Sequence, residues 1–273
     1  MGAATSYNHR VTMVTGADTR HFANSKVLLG SWRSHMPGTP LLYCDFGLTA
    51  EQRAELKRID GVQVLPAPRA FPAGGWEAKA QLGAYLAAAP AAIELLTWID
   101  ADAVLLKPLP DLVELMEGYD LAIDAHVQSV GEIVHDCNLG PLGLRRDDAY
   151  FSSGFWTLRR GRLLTTWAQL ADRVKGQGNL WENDAFVAAI YAERLKVRTL
   201  AGGVWHARIA STLFTCEVRG LDAWHEKQTI YVVHANGGYS LRADGRRVFQ
   251  RPELAAIQDH YEQVYSRLVA TGL

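Results

Sequence analysis

Strand and helix patterns alternate along the first hundred residues of the chain. Apolar runs typical of strands lie at 11 to 15, 40 to 45, 62 to 66 and 94 to 100. Helical spacing of apolar residues lies at 21 to 35, 50 to 59 and 76 to 89, and Thr49 and Gln52 have the spacing of a capping box. Continuous apolar strands joined by helices are typical of a sheet that is covered on both faces. The sequence therefore predicts an α/β fold with a largely parallel sheet.

The second half of the chain is less regular. Strands are predicted at 151 to 160 and 229 to 238, and helices at 182 to 195 and 252 to 273. Residues 125 to 149 carry Gly, Pro, Asn and Asp without sustained periodicity, which predicts a long binding loop or lid. At 273 residues the chain is long enough for one substantial core, so one domain is expected.

Charge and composition exclude several classes of function. The 28 basic and 29 acidic residues give a net charge of -1, which offers no general attraction for nucleic acid or an anionic membrane. The start of the chain lacks the apolar core of a signal peptide, and no run of about 18 apolar residues predicts a membrane span. We therefore expect a soluble cytoplasmic protein. Its cysteines are too few and too widely spaced for a disulfide framework or a thiolate zinc site: Cys44, Cys137 and Cys216.

Two aspartates, Asp100 and Asp102, end the apolar strand pattern in the stretch LLTWIDADAVLLKPL at 95 to 109. Ligands gather outside the carboxyl ends of the strands in sheets of this kind. Side chains at i and i+2 of an extended segment face the same way, so the two carboxylates are expected to converge on one point. A divalent cation resolves their repulsion, and oxygen ligands suit magnesium or manganese held against a diphosphate. The alternative is a turn-capping aspartate beside one that pairs with Lys107 or an arginine.

The order of four short motifs resembles that of nucleotide-sugar glycosyltransferases with the GT-A fold. These motifs are WIDADAVLLKPL, YFSSGFWTL at 150 to 158, WENDAFVAAI at 181 to 190 and VVHANGG at 232 to 238. The chain is most similar to the retaining glycosyltransferase family 8, which includes lipopolysaccharide galactosyltransferases and glycogenin. The resemblance spans roughly residues 10 to 240 and implies a GT-A domain over 1-273. Its nucleotide-binding half would be about 10-125, its donor-sugar and acceptor half about 126-250, and its closing helix 251-273.

The resemblance implies a metal site at Asp100, Asp102 and His234. The two aspartates match the family's DxD motif, which holds manganese against the donor diphosphate, and Asp100 would also touch the donor ribose. His234 matches the histidine that completes the site. Independently, a strand that delivers a histidine into a Gly-Gly turn suits a ligand, and an imidazole beside two carboxylates favours Mn²⁺ over Mg²⁺. The alternative for His234 is a structural or solvated side chain.

The turn TGADTRHF resembles the family's nucleotide pocket after the first strand. There Asp18 would meet the base, and His21 or Phe22 would stack on it; the alternative is an ordinary turn with Asp18 as a helix cap. Lys79 lies on the predicted helix before the DxD strand, where related enzymes place a basic residue near the donor. A solvated helix lysine is its alternative.

The donor-sugar segment departs from the family pattern. Ser152, Ser153 and Gly154 replace the usual Asn-Ala-Gly or Asn-Ser-Gly, and the lost amide at Ser152 leaves the sugar unidentified. Asn183 and Asp184 match a Gln-Asp or Asp-Gln pair beneath the reacting sugar. Asp184 is alternatively a first-turn acid that the helix dipole stabilises.

The family's Lys-Pro-Trp after the metal histidine is also missing. The sequence reads HANGGYSLR, in which Arg242 is the candidate for the charge that holds the diphosphate. His126 lies in the irregular 125 to 149 segment, and Trp205 and His206 are among the residues that could help line a sugar-sized cleft. None has a firm acceptor role.

The expected function is metal-dependent transfer of a sugar from a nucleotide-diphosphate donor, a UDP-sugar, to an acceptor hydroxyl of a glycan or small molecule. Retention is expected, through attack from the face that the diphosphate leaves or through a transient nucleophile, Asp184. Asn183 would orient the donor. Two alternatives remain. One is a sugar nucleotidyltransferase, which would be expected to have a Gly-rich phosphate loop after the first strand, and this sequence lacks such a loop. The other is an inactive protein that binds nucleotide sugars.

Overall fold

A computed structural model describes most of the chain between residues 10 and 272. The described ranges are 10–68, 76–87, 89, 93–159, 161–178, 181–208, 216–235, 239–241, 247–249 and 251–272. The strands are β1 (Val11–Ala17), β2 (Leu41–Asp45), β3 (Val62–Leu65), β4 (Leu95–Ile99), β5 (Ala103–Leu105), β6 (Leu121–Ser129), β7 (Ala149–Arg159), β8 (Val197–Leu200), β9 (Ala207–Arg208), β10 (Glu217–Arg219), β11 (Asp222–His225), β12 (Gln228–Thr229), β13 (Val232–His234), β14 (Tyr239–Leu241) and β15 (Arg247–Phe249).

Helices separate many of these strands. The α-helices are α1 (Phe22–His35), α2 (Ala50–Leu56), α3 (Leu82–Leu86), α4 (Leu112–Leu115), α5 (Val130–Ile133), α6 (Asp136–Leu142), α7 (Leu163–Val174), α8 (Trp181–Ala192) and α9 (Ala255–Thr271). Short 3₁₀ helices cover Trp76–Gln81 and Pro252–Leu254. Within the described ranges, no helix is both long and apolar enough to cross a membrane.

A seven-stranded sheet forms the centre of the fold, in the order β3-β2-β1-β4-β7-β6-β8. Only β7 runs against its neighbours in this sheet, so the prediction of an α/β fold with a mostly parallel sheet is confirmed. Alternate residues of β1 face opposite sides, Met13 into one apolar cluster and Val14 into another. The central strands β1, β2 and β4 are buried along their whole length, as a sheet packed on both faces requires.

A second sheet has three strands in the order β5-β13-β9, and its strand β5 follows β4 in the chain. Its strand β5 follows the DxD turn and pairs antiparallel with β13, placing Ala103 opposite His234. The other edge of β5 faces α1, where the Leu105 N–H donates to Ser31 Oγ at 3.1 Å. The DxD aspartates and His234 are thereby brought to the same edge of the fold.

The structure departs from the sequence prediction in two places. Residues 125 to 149 are not one irregular loop: they continue β6 and then form α5 and α6. Helices of four and seven residues are too short to show a 3.6-residue repeat, which is why the pattern there looked irregular. The helix expected over 76 to 89 is a 3₁₀ turn followed by the short α3. The capping box of Thr49 and Gln52 is present, as predicted.

Candidate functional site

The two DxD carboxylates lie in a tight turn that joins β4 to β5. The Ala103 N–H donates to the Asp100 carbonyl at 3.0 Å, which closes the turn, and the Asp100 N–H donates to the Gly154 carbonyl on β7 at 2.9 Å. The predicted convergence of Asp100 and Asp102 is found, but a turn produces it rather than an extended segment. Each aspartate keeps about a fifth of its side chain exposed, 21% in both cases, so the pair is open to a ligand.

His234, the last residue of β13, completes a cluster with both aspartates. Its Nε2 lies 2.9 Å from Asp102 Oδ1 and 3.6 Å from Asp100 Oδ2. One potential ligand atom from each residue lies within 4.8 Å of the others, and no second group of this kind occurs in the described part of the chain. Burial opposes protonation of the imidazole, but the charges of Asp102 and Asp100 outweigh it and raise the pKa of His234. An imidazole facing two carboxylates is a donor set that fits a divalent transition metal.

Asp100 is held in place by two donors from elements behind it. Trp98 Nε1 donates to Asp100 Oδ1 at 2.7 Å, and Lys79 Nζ donates to the same oxygen at 3.1 Å. Lys79 is buried, so the alternative of a solvated helix lysine is wrong for the structure. Burial disfavours its ammonium, but the charges of Asp100 and Glu182 outweigh that effect and raise the pKa of Lys79. The Lys79 ammonium group therefore lies beside the DxD turn.

Glu182 at the start of α8 is a site residue that the sequence analysis did not single out. It is only 3% exposed, and its Oε2 lies 3.9 Å from Lys79 Nζ. Its Oε1 has no hydrogen-bond partner among the described residues. Burial raises the pKa of Glu182 to about 7, against the opposing charge of Lys79. The sequence offered only its place beside Asn183 and Asp184 in the motif WENDAF, and nothing there marks Glu182 as buried.

Gly154 on β7 allows His234 to approach the DxD turn. A Cβ added to Gly154 would lie 2.8 Å from both Cε1 and Nδ1 of His234, closer than real Cβ contacts come. The serines before it are buried, and Ser152 Oγ accepts from the Gly154 N–H at 3.3 Å. Gly154 thus lies against His234, and Ser152 and Ser153 precede it on β7. Their contact with a donor sugar stays a prediction.

Asn183 uses its amide to join α8 to β7. Its Oδ1 accepts from the Ser153 N–H at 2.7 Å, and its Nδ2 donates to the Phe151 carbonyl at 2.9 Å. The carbonyl that the sequence suggested for the donor is therefore already hydrogen-bonded within the protein. This contact sets the position of the strand segment that precedes Gly154.

Asp184 belongs to a neighbouring buried group. Its Oδ1 accepts from Tyr150 OH at 2.9 Å and its Oδ2 from Asn138 Nδ2 at 3.0 Å. Burial raises the pKa of Asp184, although both of these hydrogen bonds act the other way. Asp184 lies in the first turn of α8, which also agrees with its helix-dipole alternative.

The turn after β1 keeps Asp18 bound to its own chain. Asp18 Oδ1 accepts from the His21 N–H at 2.9 Å and lies 2.7 Å from His21 Nδ1. Burial raises the pKa of Asp18, but the contacts with His21 and Arg20 outweigh it, so the pKa is lowered overall. Phe22 is buried in the core, whereas the His21 side chain is 37% exposed. Arg242, predicted to hold the diphosphate, lies outside the described residues.

Two further residues stand behind His234. His206 Nε2 lies 2.9 Å from His234 Nδ1, and His206 Nδ1 lies 3.0 Å from Asp124 Oδ1. Both are fully buried. The sequence suggested His206 only as one of several cleft residues and did not point to Asp124. Their contact joins β6 to the segment just before β9, and these strands belong to different sheets.

Known proteins resemble this chain in structure but not in sequence. No family model and no curated protein match the sequence. Among solved structures, the galactosyltransferase LgtC in complex with donor and acceptor sugar analogues matches with a TM-score of 0.60 at 14% identity, over 94% of this chain and 95% of that chain. An active-site mutant of LgtC matches with a TM-score of 0.62 at the same identity and coverage.

The bifunctional glycosyltransferase WbbM, in its apo form, also matches. Its TM-score is 0.60 at 11% identity, over 97% of this chain and 50% of that chain. At such low sequence identities, structural similarity establishes the fold. This fold is the one that the order of the four sequence motifs predicted. The chain has the GT-A fold of these glycosyltransferases, which confirms the resemblance seen in its motifs.

Proposed function

We propose that this protein is a metal-dependent glycosyltransferase that moves a sugar from a nucleotide-diphosphate donor, a UDP-sugar, to an acceptor hydroxyl. The observation that carries the proposal is the cluster of Asp100, Asp102 and His234 at the carboxyl end of β4. Support comes from the GT-A fold and from LgtC, whose structure holds donor and acceptor sugar analogues. The acceptor would be a glycan or a small molecule.

The three residues of the cluster would hold the metal, and the imidazole of His234 favours manganese over magnesium. When bound, such an ion stabilises the negative charge that the leaving diphosphate gains. Lys79 adds a buried positive charge, held 3.1 Å from Asp100 Oδ1. Both charges would oppose the negative charge that develops on the leaving diphosphate.

On the nucleotide side, we assign the base pocket to the turn after β1. Asp18 holds that turn together, and His21 presents the more exposed ring for stacking on a base. On the sugar side, the candidate donor segment consists of Ser152, Ser153 and Gly154, of which Gly154 lies against His234. Asn183 fixes the backbone of that segment through the Ser153 N–H. These residues would orient the donor rather than react with it.

Retention is proposed through attack from the face that the diphosphate leaves. A protein nucleophile would have to be Asp184, whose two oxygens already accept hydrogen bonds from Tyr150 and Asn138. Burial also favours the neutral form of this carboxyl, which is not nucleophilic. Asp184 is therefore better suited to supporting the floor of the sugar pocket than to forming a covalent intermediate.

The test is calorimetric binding of UDP, GDP and ADP, each with Mn²⁺ and with a chelator. We expect one nucleotide to bind, and to bind only with Mn²⁺. Asp102→Asn should weaken that binding by at least about 100-fold, because loss of a metal ligand costs more than loss of an outer-shell group. The matched control is Asp60→Asn, whose side chain is 74% exposed and should leave binding unchanged.

Activity separates a transferase from a binder. The wild-type protein should release UDP from a UDP-sugar in the presence of Mn²⁺, and Asp102→Asn should not. Metal-dependent binding without any turnover would identify an inactive nucleotide-sugar-binding protein. Equal nucleotide binding in chelator, or in Asp102→Asn, would refute the metal site itself.

A further inference from the structure

The candidate ligand His234 is joined through its other ring nitrogen to a buried histidine and a buried aspartate. His234 Nδ1 lies 2.9 Å from His206 Nε2, and His206 Nδ1 lies 3.0 Å from Asp124 Oδ1. We propose that His206, supported by Asp124, is a positioning residue that fixes the orientation and tautomer of His234 for metal binding. This inference rests on the metal site of the proposed function.

The direction of each hydrogen bond follows from the aspartate. The Asp124 carboxylate can only accept, so His206 Nδ1 carries the proton and donates to it. The other nitrogen of a neutral His206, Nε2, is then an acceptor, and His234 Nδ1 must donate to it. Neutral His234 is left with a lone pair on Nε2, the atom that faces Asp102 at 2.9 Å. This arrangement satisfies both hydrogen bonds behind His234 and leaves Nε2, rather than Nδ1, as the ring nitrogen that can bind a metal.

Packing prevents the two rings from adopting other orientations. The imidazoles of His206 and His234 are stacked, with centroids 4.9 Å apart and planes 22° from parallel. Gly154 fits against both: a Cβ there would come within 2.8 Å of His234 Cε1 and 3.1 Å of His206 Cε1. His206 is completely buried, and so is Asp124 on β6. The chain of contacts thus ties His234 to the central sheet.

Asp124 has a second interaction that keeps it in place. Its Oδ2 lies 3.8 Å from Arg208 Nη2, and Arg208 also contacts His126. Burial raises the energy of an unpaired carboxylate, so the nearby guanidinium helps to keep Asp124 ionised and able to accept. Outer-shell partners of metal-ligating histidines act in this way, and losing one typically weakens metal binding about 10- to 100-fold.

Two substitutions of His206 distinguish a role in positioning His234 from a role in filling the space behind it. His206→Leu fills a similar volume but cannot accept from His234 Nδ1. His206→Gln can accept through its carbonyl and donate to Asp124 through its amide. Titration of each purified protein with Mn²⁺, at saturating UDP, is expected to show about 10- to 100-fold weaker metal binding for His206→Leu and a loss within about 5-fold for His206→Gln.

A spectroscopic measurement reads the tautomer directly. In nitrogen-proton correlation spectra of the imidazole rings of the metal-free wild type, His206 should show the Nδ1–H tautomer; its signals are identified by their absence in His206→Gln. Asp124→Asn, which keeps the shape of the side chain, is the second variant if His206→Leu fails to fold. We expect it to weaken Mn²⁺ binding at least 5-fold, because its amide can present a donor to His206.

The outcomes are distinguishable from failure of the proposed function. Equal Mn²⁺ affinity in wild type, His206→Leu and Asp124→Asn, or an Nε2–H tautomer at His206, would overturn the positioning role while leaving the metal site in place. If His206→Gln binds Mn²⁺ as weakly as His206→Leu, hydrogen-bond acceptance is not what His206 provides and the inference fails. A wild-type protein that binds no Mn²⁺ refutes both.

Discussion

At the scale of single residues, Gly154 shows how a missing side chain shapes the site. It lies where β7 passes beneath the ring of His234, and an added methyl group would come within 2.8 Å of that ring. The ring cannot swing away freely, because its Nδ1 is bonded to the buried His206. The lack of a side chain at Gly154 is therefore a condition for bringing His234 to Asp102.

Gly154→Ala should weaken Mn²⁺ binding about 10-fold or more, because His234 must shift from the carboxylates to make room. The measurement is Mn²⁺ titration with UDP present. Gly140→Ala is the matched control, since a Cβ at Gly140 in α6 meets no atom within 4 Å. It should bind Mn²⁺ as the wild type does. Unchanged affinity in Gly154→Ala would show that His234 does not need its present position.

Residues of the site differ in how far the sequence could reveal them. Asp100 and Asp102 stand out because two carboxylates interrupt an apolar strand pattern, and His234 because it ends another. Nothing comparable marks Asp124 or His206. Their contact forms only when β6 and the segment before β9 are brought together, and local sequence does not encode that neighbourhood.

At the scale of elements, β5 depends on α1 for one of its backbone hydrogen bonds. The Leu105 N–H donates to Ser31 Oγ at 3.1 Å, and both groups are buried. Ser31 also donates to the Leu28 carbonyl one turn earlier, which holds the hydroxyl in place. This contact fixes the strand that leads out of the DxD turn.

Ser31→Ala would leave the Leu105 N–H buried without its acceptor, at a cost of about 1–3 kcal/mol in the free energy of unfolding. Ser34→Ala is the matched control on the same helix, because Ser34 Oγ bonds only to the Gly30 carbonyl of α1 itself among the described contacts. It should change stability by less than about 0.5 kcal/mol. Urea unfolding of the three proteins measures both values. Equal stability of the two variants would contradict the role of Ser31.

Strands and helices were predictable where they are long and periodic. The sequence located β1, β2, β4 and α1 closely, since each has either a continuous apolar run or clear helical spacing. It missed α5 and α6, which are too short for a period to show. It also missed the turn at Asp100, because two carboxylates one residue apart look the same in a strand and in a turn.

At the scale of the whole molecule, the candidate metal site joins segments that are far apart in the chain. Asp100 and Asp102 follow the central strand β4, whereas His234 comes from β13, which reaches them only by pairing with β5. An unfolded chain cannot hold these groups within a few ångströms of one another. A metal bound by all three residues would therefore bind the folded state and stabilise it.

Mn²⁺ should accordingly raise the thermal unfolding temperature of the wild-type protein relative to protein in chelator. At a concentration of about 100 times Kd the stabilisation is about 2.7 kcal/mol, which corresponds to a rise of about 5 °C or more for a chain of this size. Calorimetry or circular dichroism measures the shift. The shift should vanish in Asp102→Asn and persist in Asp60→Asn, whose exposed carboxylate lies outside the cluster. An equal shift in both variants would mean that Mn²⁺ binds elsewhere, and that the strands joining β4 to His234 do not build a metal site.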